Sequence, residues 1–173
     1  ETIGQGAFSG CSALEHVDDL YSLTRLEYDV FSHCVSLISV DCSDKLTAIG
    51  SSAFFGCKAL VSIGDLSNVT SIESSVFRGC IALKSIGNMP KLESIGMQCF
   101  MGCTALETVG DLSSLKEIPS ETFDGCTSLV SIGDLSNVTI IGSYGFNQCK
   151  KLTSIPNLGS LERVDHCLLY TSP

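Results

Sequence analysis

Read for its apolar positions alone, the chain repeats itself every 23 residues. Phe stands at 8, 31, 54, 77, 100, 123 and 146. Cys follows each Phe by three residues, from Cys11 to Cys149, and Leu follows each Cys by three, from Leu14 to Leu152. An Ile or Val column comes next, from Val17 to Ile155, and further aliphatic columns open at Leu20, Leu23 and Leu26, with Ser43 interrupting the first of them. The unit F-x-x-C-x-x-L-x-x-I-x-x-L-x-x-L-x-x-I-x-x-x-x runs without insertion or deletion. The stretch "LVSIGDLSNVT" at 60–70 therefore returns at 129–139, three units later.

A spacing of three fits neither the 3.6 of an amphipathic helix nor the 2 of a half-buried strand. It suits a chain that turns repeatedly and points one residue inward per facet. One such coil cannot bury its own apolar residues, whereas stacked coils bury them in continuous columns. The "C-x-x-L-x-S-I" facet predicts a parallel strand and the "V-T-S-I" facet a second, shorter one. The segment before Phe, such as "ESSVF", predicts a turn or a single helical turn. Parallel strands pair about 4.8 Å apart, so seven coils make a short curved rod of about 30 Å.

The pattern "IGSSAFFGCKALVSI" at 49–63, with its Ala-Phe, Gly-Cys and Leu-x-x-Ile, resembles the BspA-like leucine-rich repeat. The resemblance runs over residues 1–164, seven times, from an incomplete first unit, and leaves 165–173 as a non-repeat tail that reads as foreign to the array. It implies a mostly β solenoid of the α/β type, right-handed, with parallel strands in seven 23-residue coils. This chain departs from the family at two places. Gly-Asp or Gly-Asn follows the Leu-x-x-Ile strand where many members have an apolar residue and Pro, and His33 and Gln148 replace the Gly before Cys. Neither end carries a polar capping unit, so the expectation is a piece of a longer array. Proteins with these repeats are typically surface or secreted proteins for which adhesion is the usual proposal. The resemblance thus implies a non-enzymatic module that binds a protein or glycan, extracellular or at the cell surface. A cytoplasmic interaction scaffold is the alternative, and a parallel β-helix-like carbohydrate-active enzyme comes third.

Composition narrows the partners. Ten Lys and Arg against 19 Asp and Glu give a formal net charge of −9, which argues against nucleic acid and anionic lipid. No run of 18 apolar residues exists, so no direct membrane insertion is expected of this segment.

Ten Cys would ordinarily suggest disulfides, but seven share one inward column and read as small buried thiols. Zinc would need paired ligands such as C-x-x-C, which are missing, so no metal and no cofactor are expected. Cys42, in a turn column, and Cys167, past the repeats, are the thiols expected to react. The turn column Asp19, Cys42, Asp65, Asn88, Asp111, Asp134 and Asn157 reads as backbone capping. Gly64, Gly87, Gly110 and Gly133 precede four of its members and are expected at positive φ. A calcium-binding carboxylate ladder is the lesser reading, since Asn and Cys interrupt it. No catalytic residue is expected: His16, His33 and His166 fall in different columns, and no nucleophile-elbow, zinc-protease or phosphate-loop motif occurs.

The positions after Cys and after Leu vary from unit to unit while their neighbours stay fixed. They predict a ligand-binding face around Lys58, Val61, Ile81, Lys84, Thr104 and Glu107. Unrestrained drift at solvent-facing positions explains the variation equally well, and the aliphatic members Val35, Ile38, Val61, Ile81 and Val130 tilt the balance towards a partner. Asn68 and Asn137 each open an N-x-[ST] pattern, either as glycosylation acceptors or as one accidental pattern copied with the duplicated stretch.

Overall fold

The structure, a computed structural model, describes residues 3–166. Among these residues thirteen short strands follow one another: β1 His16–Leu20, β2 Arg25–Leu26, β3 Ser39–Cys42, β4 Ala48–Ile49, β5 Ser62–Ile63, β6 Ser71–Ile72 and β7 Ser85–Ile86. Then come β8 Ser94–Ile95, β9 Thr108–Val109, β10 Glu117–Ile118, β11 Ser131–Ile132, β12 Ile140–Ile141 and β13 Arg163–Val164. Odd-numbered strands up to β11 form one facet and the remaining strands a second. Every pair is parallel, and its register joins a residue to its equivalent one repeat on, as in Ser39↔Ser62 and Ser71↔Ser94, except at a bulge in β1 that sets Leu20 against Cys42. Both expected strands are therefore present. Among the described residues there is no α-helix, and the segment before Phe is a run of turns.

Those turns follow from an alternating hydrogen-bond pattern. The N–H groups of Ser52, Phe54 and Gly56 donate across to the carbonyls of Ser74, Val76 and Arg78 in the next coil. Those of Ala53, Phe55 and Cys57 donate backwards within their own coil, to Gly50, Ser52 and Phe54. Alternation of this kind puts two residues per coil in the left-handed region. One column is Asp29, Ser52, Ser75, Gln98, Glu121 and Tyr144, at φ between 57 and 59°. The other is the Gly before Cys, at φ 69° in Gly56 and 75° in Gly79, where His33 and Gln148 adopt 59°. Gly64, Gly87, Gly110 and Gly133 are not at positive φ, contrary to the sequence expectation. Gly64, Gly110 and Gly133 are glycine for a different reason, which Gly87 does not share: a Cβ on Gly110 would lie 2.7 Å from the Gly87 carbonyl carbon, and one on Gly64 would meet the Cys42 backbone. The coils are simply too close there for a side chain.

Inside, seven Phe rings from Phe8 to Phe146 stack in one column, with centroids 5.2–5.5 Å apart and nearly parallel planes. Beside it runs the thiol ladder. The Phe31 carbonyl accepts the Cys34 N–H at 3.1 Å in its own coil and the Cys57 thiol at 3.0 Å from the next. The same arrangement recurs at Phe54, Phe77, Phe100 and Phe123, which accept the thiols of Cys80, Cys103, Cys126 and Cys149. Cysteine suits the position because it is a small hydrophobe with one weak donor. Ser43, the polar intruder among the aliphatic columns, is buried and bonded to the Leu23 carbonyl and the Lys45 N–H. At the outermost coil the columns open: Phe8 is 36% exposed, where the other six rings in the stack are fully buried.

Candidate binding face

The two variable columns flank the Leu of each coil and point outward. Main-chain bonds fix them from coil to coil, from Val61 N–H to the Ile38 carbonyl (2.9 Å) and from Glu107 N–H to that of Lys84 (2.8 Å). Lys58, Val61, Ile81, Lys84, Thr104 and Glu107 are all exposed, on three successive coils of one face. The aliphatic members are not tucked away: Val61 is 38%, Ile81 48% and Val130 53% exposed. Coils two to four thus present aliphatic side chains and lysines, while coils five to seven present mostly polar ones.

Next to this face lies a groove of about 470 Å³ that the repeat columns did not mark out. Its floor is Gly56, Gly79 and Gly102, and its lining includes His33, Val35, Phe55, Lys58, Arg78, Ile81 and Met101. The Arg78 guanidinium sits 5.7 Å from the Phe55 ring centroid. His33 packs edge-on against the same ring, with centroids 5.1 Å apart. Arg78 is held in place by donating to the Gln98 side chain at 2.8 Å, and Gln98 in turn donates to Glu121 at 2.8 Å. Phe55, Arg78 and Met101 occupy one column, directly before the Gly, among the turns that follow each Phe. The clue available in the sequence was a bare Gly running between two variable columns.

The acidic turn column works as a set of caps. Asp65, Asp111 and Asp134 accept the N–H groups of Ser67, Ser113 and Ser136 at 2.8–2.9 Å. The Ser136 N–H, with help from Asn157, holds the Asp134 carboxyl below its ordinary value. Asn88 and Asn157 link neighbouring coils, to the Asp111 N–H and the Asp134 carboxylate. Carboxylates so engaged serve the backbone first.

Asn68 and Asn137 lie on the side of the second facet. Their amide groups donate to the carbonyls of Asp44 (2.8 Å) and Ser113 (2.7 Å) in the preceding coil. Asn137 also lines a polar cavity of about 710 Å³ with Glu93, Ser94, Ser114 and Lys116. The reactive-thiol expectation fails for Cys42. It ends β3, is half-buried, and burial pushes its thiol up to about 12. Cys11 is instead the exposed ladder thiol, and Cys167 lies outside the described residues.

The profile of the BspA type leucine rich repeat region matches in six copies, over residues 1–107 and 62–172. The chain belongs to the BspA-type leucine-rich repeat family. Solved structures agree with that fold. A leucine-rich repeat protein of T. pallidum (TpLRR) is 26% identical with a TM-score of 0.82, over 88% of this chain and 72% of that one. One from Eubacterium ventriosum is 18% identical with a TM-score of 0.63, over 83% of this chain and 57% of that one. A leucine rich cell surface protein from Faecalibacterium prausnitzii is 23% identical with a TM-score of 0.51, over 96% of this chain and 62% of that one. The chain thus spans less than two thirds of two of these three. No curated protein matches it. As in a repeat module generally, this BspA-type array keeps its interior fixed and leaves one outer face free to change. Among the described residues no helix is long and apolar enough to cross a membrane.

Proposed function

We propose that this BspA-type array is a non-enzymatic recognition module of a surface or secreted protein. It binds a protein or glycan partner across the face formed by Lys58, Val61, Ile81, Lys84, Thr104 and Glu107. The observation that carries this reading is exposed aliphatic surface at positions that vary over an invariant core. Hydrophobic side chains clustered in solvent are a cost that a partner relieves. The likeness to the F. prausnitzii leucine rich cell surface protein supports the location. Asn68 and Asn137 are proposed acceptors of N-linked glycan beside the second facet, outside the six positions of the face.

The test is a screen of the chain against extracellular proteins, cell surfaces and a glycan array. A partner weakened by Lys58→Ala, Ile81→Ala and Lys84→Ala, at unchanged melting temperature, supports the face. Binding that survives alanine at all six positions places the site elsewhere. Intact mass of material made in a eukaryotic secretory route reads the glycosylation directly, and an unmodified mass rejects it.

A further inference from the structure

The groove beside the variable columns differs in kind from the rest of the surface. In the four segments 32–38, 55–61, 78–84 and 101–107, Lys58, Arg78 and Lys84 meet a single acid, Glu107, although the chain as a whole carries −9. His33 adds a further imidazole, and Asp124, paired with Asn147, stands one coil beyond Met101. The floor is bare backbone at Gly56, Gly79 and Gly102. Their N–H groups already donate to the carbonyls of Arg78, Met101 and Asp124 at 2.8 Å each. A sugar, which needs many hydrogen-bond partners, finds few on such a floor. An apolar side chain needs none, and finds Phe55, Ile81 and Met101 as walls.

Resting on the reading that this face binds, we propose that the trough anchors an acidic, extended polypeptide segment of a partner protein. One apolar side chain of the segment lies on the glycine floor between Phe55 and Ile81, and flanking carboxylates meet Lys58 and Arg78. Arg78 has donors to spare, since a guanidinium carries five and one bond goes to Gln98. From Gly56 to Gly102 the trough crosses two coil steps, about 10 Å, enough for about three extended residues. His33 closes one end, its ring against Gly56, and Gln148 ends the glycine column two coils beyond Gly102.

The same column supplies the test. His33 and Gln148 adopt the left-handed conformation with full side chains, and a Cβ on Gly79 meets nothing closer than the Gly56 Cα at 3.9 Å. Gly79→Gln therefore fills the trough within a conformation the fold already accepts. A displayed library of random heptapeptides is panned on the whole chain, and enriched peptides are synthesised and measured by fluorescence anisotropy. The proposal expects an aromatic or aliphatic residue flanked by Asp or Glu. It expects Kd to rise about tenfold or more in Gly79→Gln and in Lys58→Glu/Arg78→Gln, and added salt to weaken binding. Ile81→Ser is the second variant, should Gly79→Gln melt early.

Enrichment of basic or uncharged peptides, no enrichment, or full binding by Gly79→Gln overturns the trough. So does displacement of the peptides by heparin fragments with no contribution from their apolar residue. Peptides lost in Val61→Ser/Lys84→Ala but kept by Gly79→Gln overturn the trough alone and leave the face standing. A natural partner indifferent to both sets of variants rejects the face itself.

Discussion

Coils three to six carry glycine in both of two columns, and the two columns hold it for opposite reasons. The turn column, Gly64, Gly110 and Gly133, has ordinary backbone angles but no room: a Cβ would meet the main chain of the preceding coil. The trough column, Gly56, Gly79 and Gly102, has left-handed angles, with ample room above Gly79 and Gly102 and the His33 ring against Gly56. The first column lets coils close on one another. The second keeps a strip of surface bare. One residue type thus reports stability at one position and access at another, and only the neighbours tell which.

The thiol ladder tests whether the interior behind both columns holds the coils together, and it has the largest expected effect. Burial pushes the thiols of Cys57 and Cys149 up to about 12, raises that of Cys34, and holds those of Cys80, Cys103 and Cys126 well above the ordinary range. A raised folded value means that the stability is whole below the unfolded thiol value near ~8.5 and is lost as pH climbs above it. Each such thiol costs about 1.4 kcal/mol per pH unit across that window. Thermal melts are expected to fall steeply between about pH 9 and the folded values. A melting temperature flat across that range contradicts the ladder.

Next is Gly133→Ala. Its Cβ would collide with the Gly110 carbonyl and lie 2.9 Å from the Asp111 Cα, and backbone cannot swing aside. Overpacking of this kind is expected to cost about 3 kcal/mol in urea denaturation. Gly79→Gln should cost about 1 kcal/mol, the ordinary penalty for a side chain at left-handed angles. If the two variants lose equal stability, the distinction between the columns is wrong. The smallest effect is expected at Gly87, which belongs to the turn column yet has nothing within 4 Å of its Cβ position and ordinary φ. Gly87→Ala should stabilise by about 0.4–1 kcal/mol through the unfolded chain. Destabilisation there would mean that the whole column, not its crowded members, needs glycine.

The period alone made most of the fold legible. Seven apolar columns without insertions dictate stacked coils, and the 23-residue register of the strand pairs follows from them, the bulge at Leu20 excepted. Backbone angle was not legible, because periodicity says which residues are equivalent and not which conformation they share. Asp29, Ser52, Ser75, Gln98, Glu121 and Tyr144 have no side-chain chemistry in common, yet all are left-handed, forced by N–H groups that alternate between coils. Cys42 looked reactive as a lone thiol in a turn column, but β3 runs on to include it and packs it against Gly64. The six outward positions were read correctly as exposed, since they interrupt an inward triplet. Phe55, Arg78 and Met101 were missed because they sit among turn residues, where variation looks like slack.

The central claim is that the outer face at the trough, and not the crowded turn side, is where a partner docks. Amide shifts of the ¹⁵N-labelled chain during titration with a peptide of alternating Glu and Phe test it most directly. The account predicts shifts at Gly56, Gly79, Gly102 and Ile81, with Gly64, Gly110 and Gly133 unmoved. Shifts confined to the turn column, or to Lys116 and Asn137 on the second facet, would contradict it.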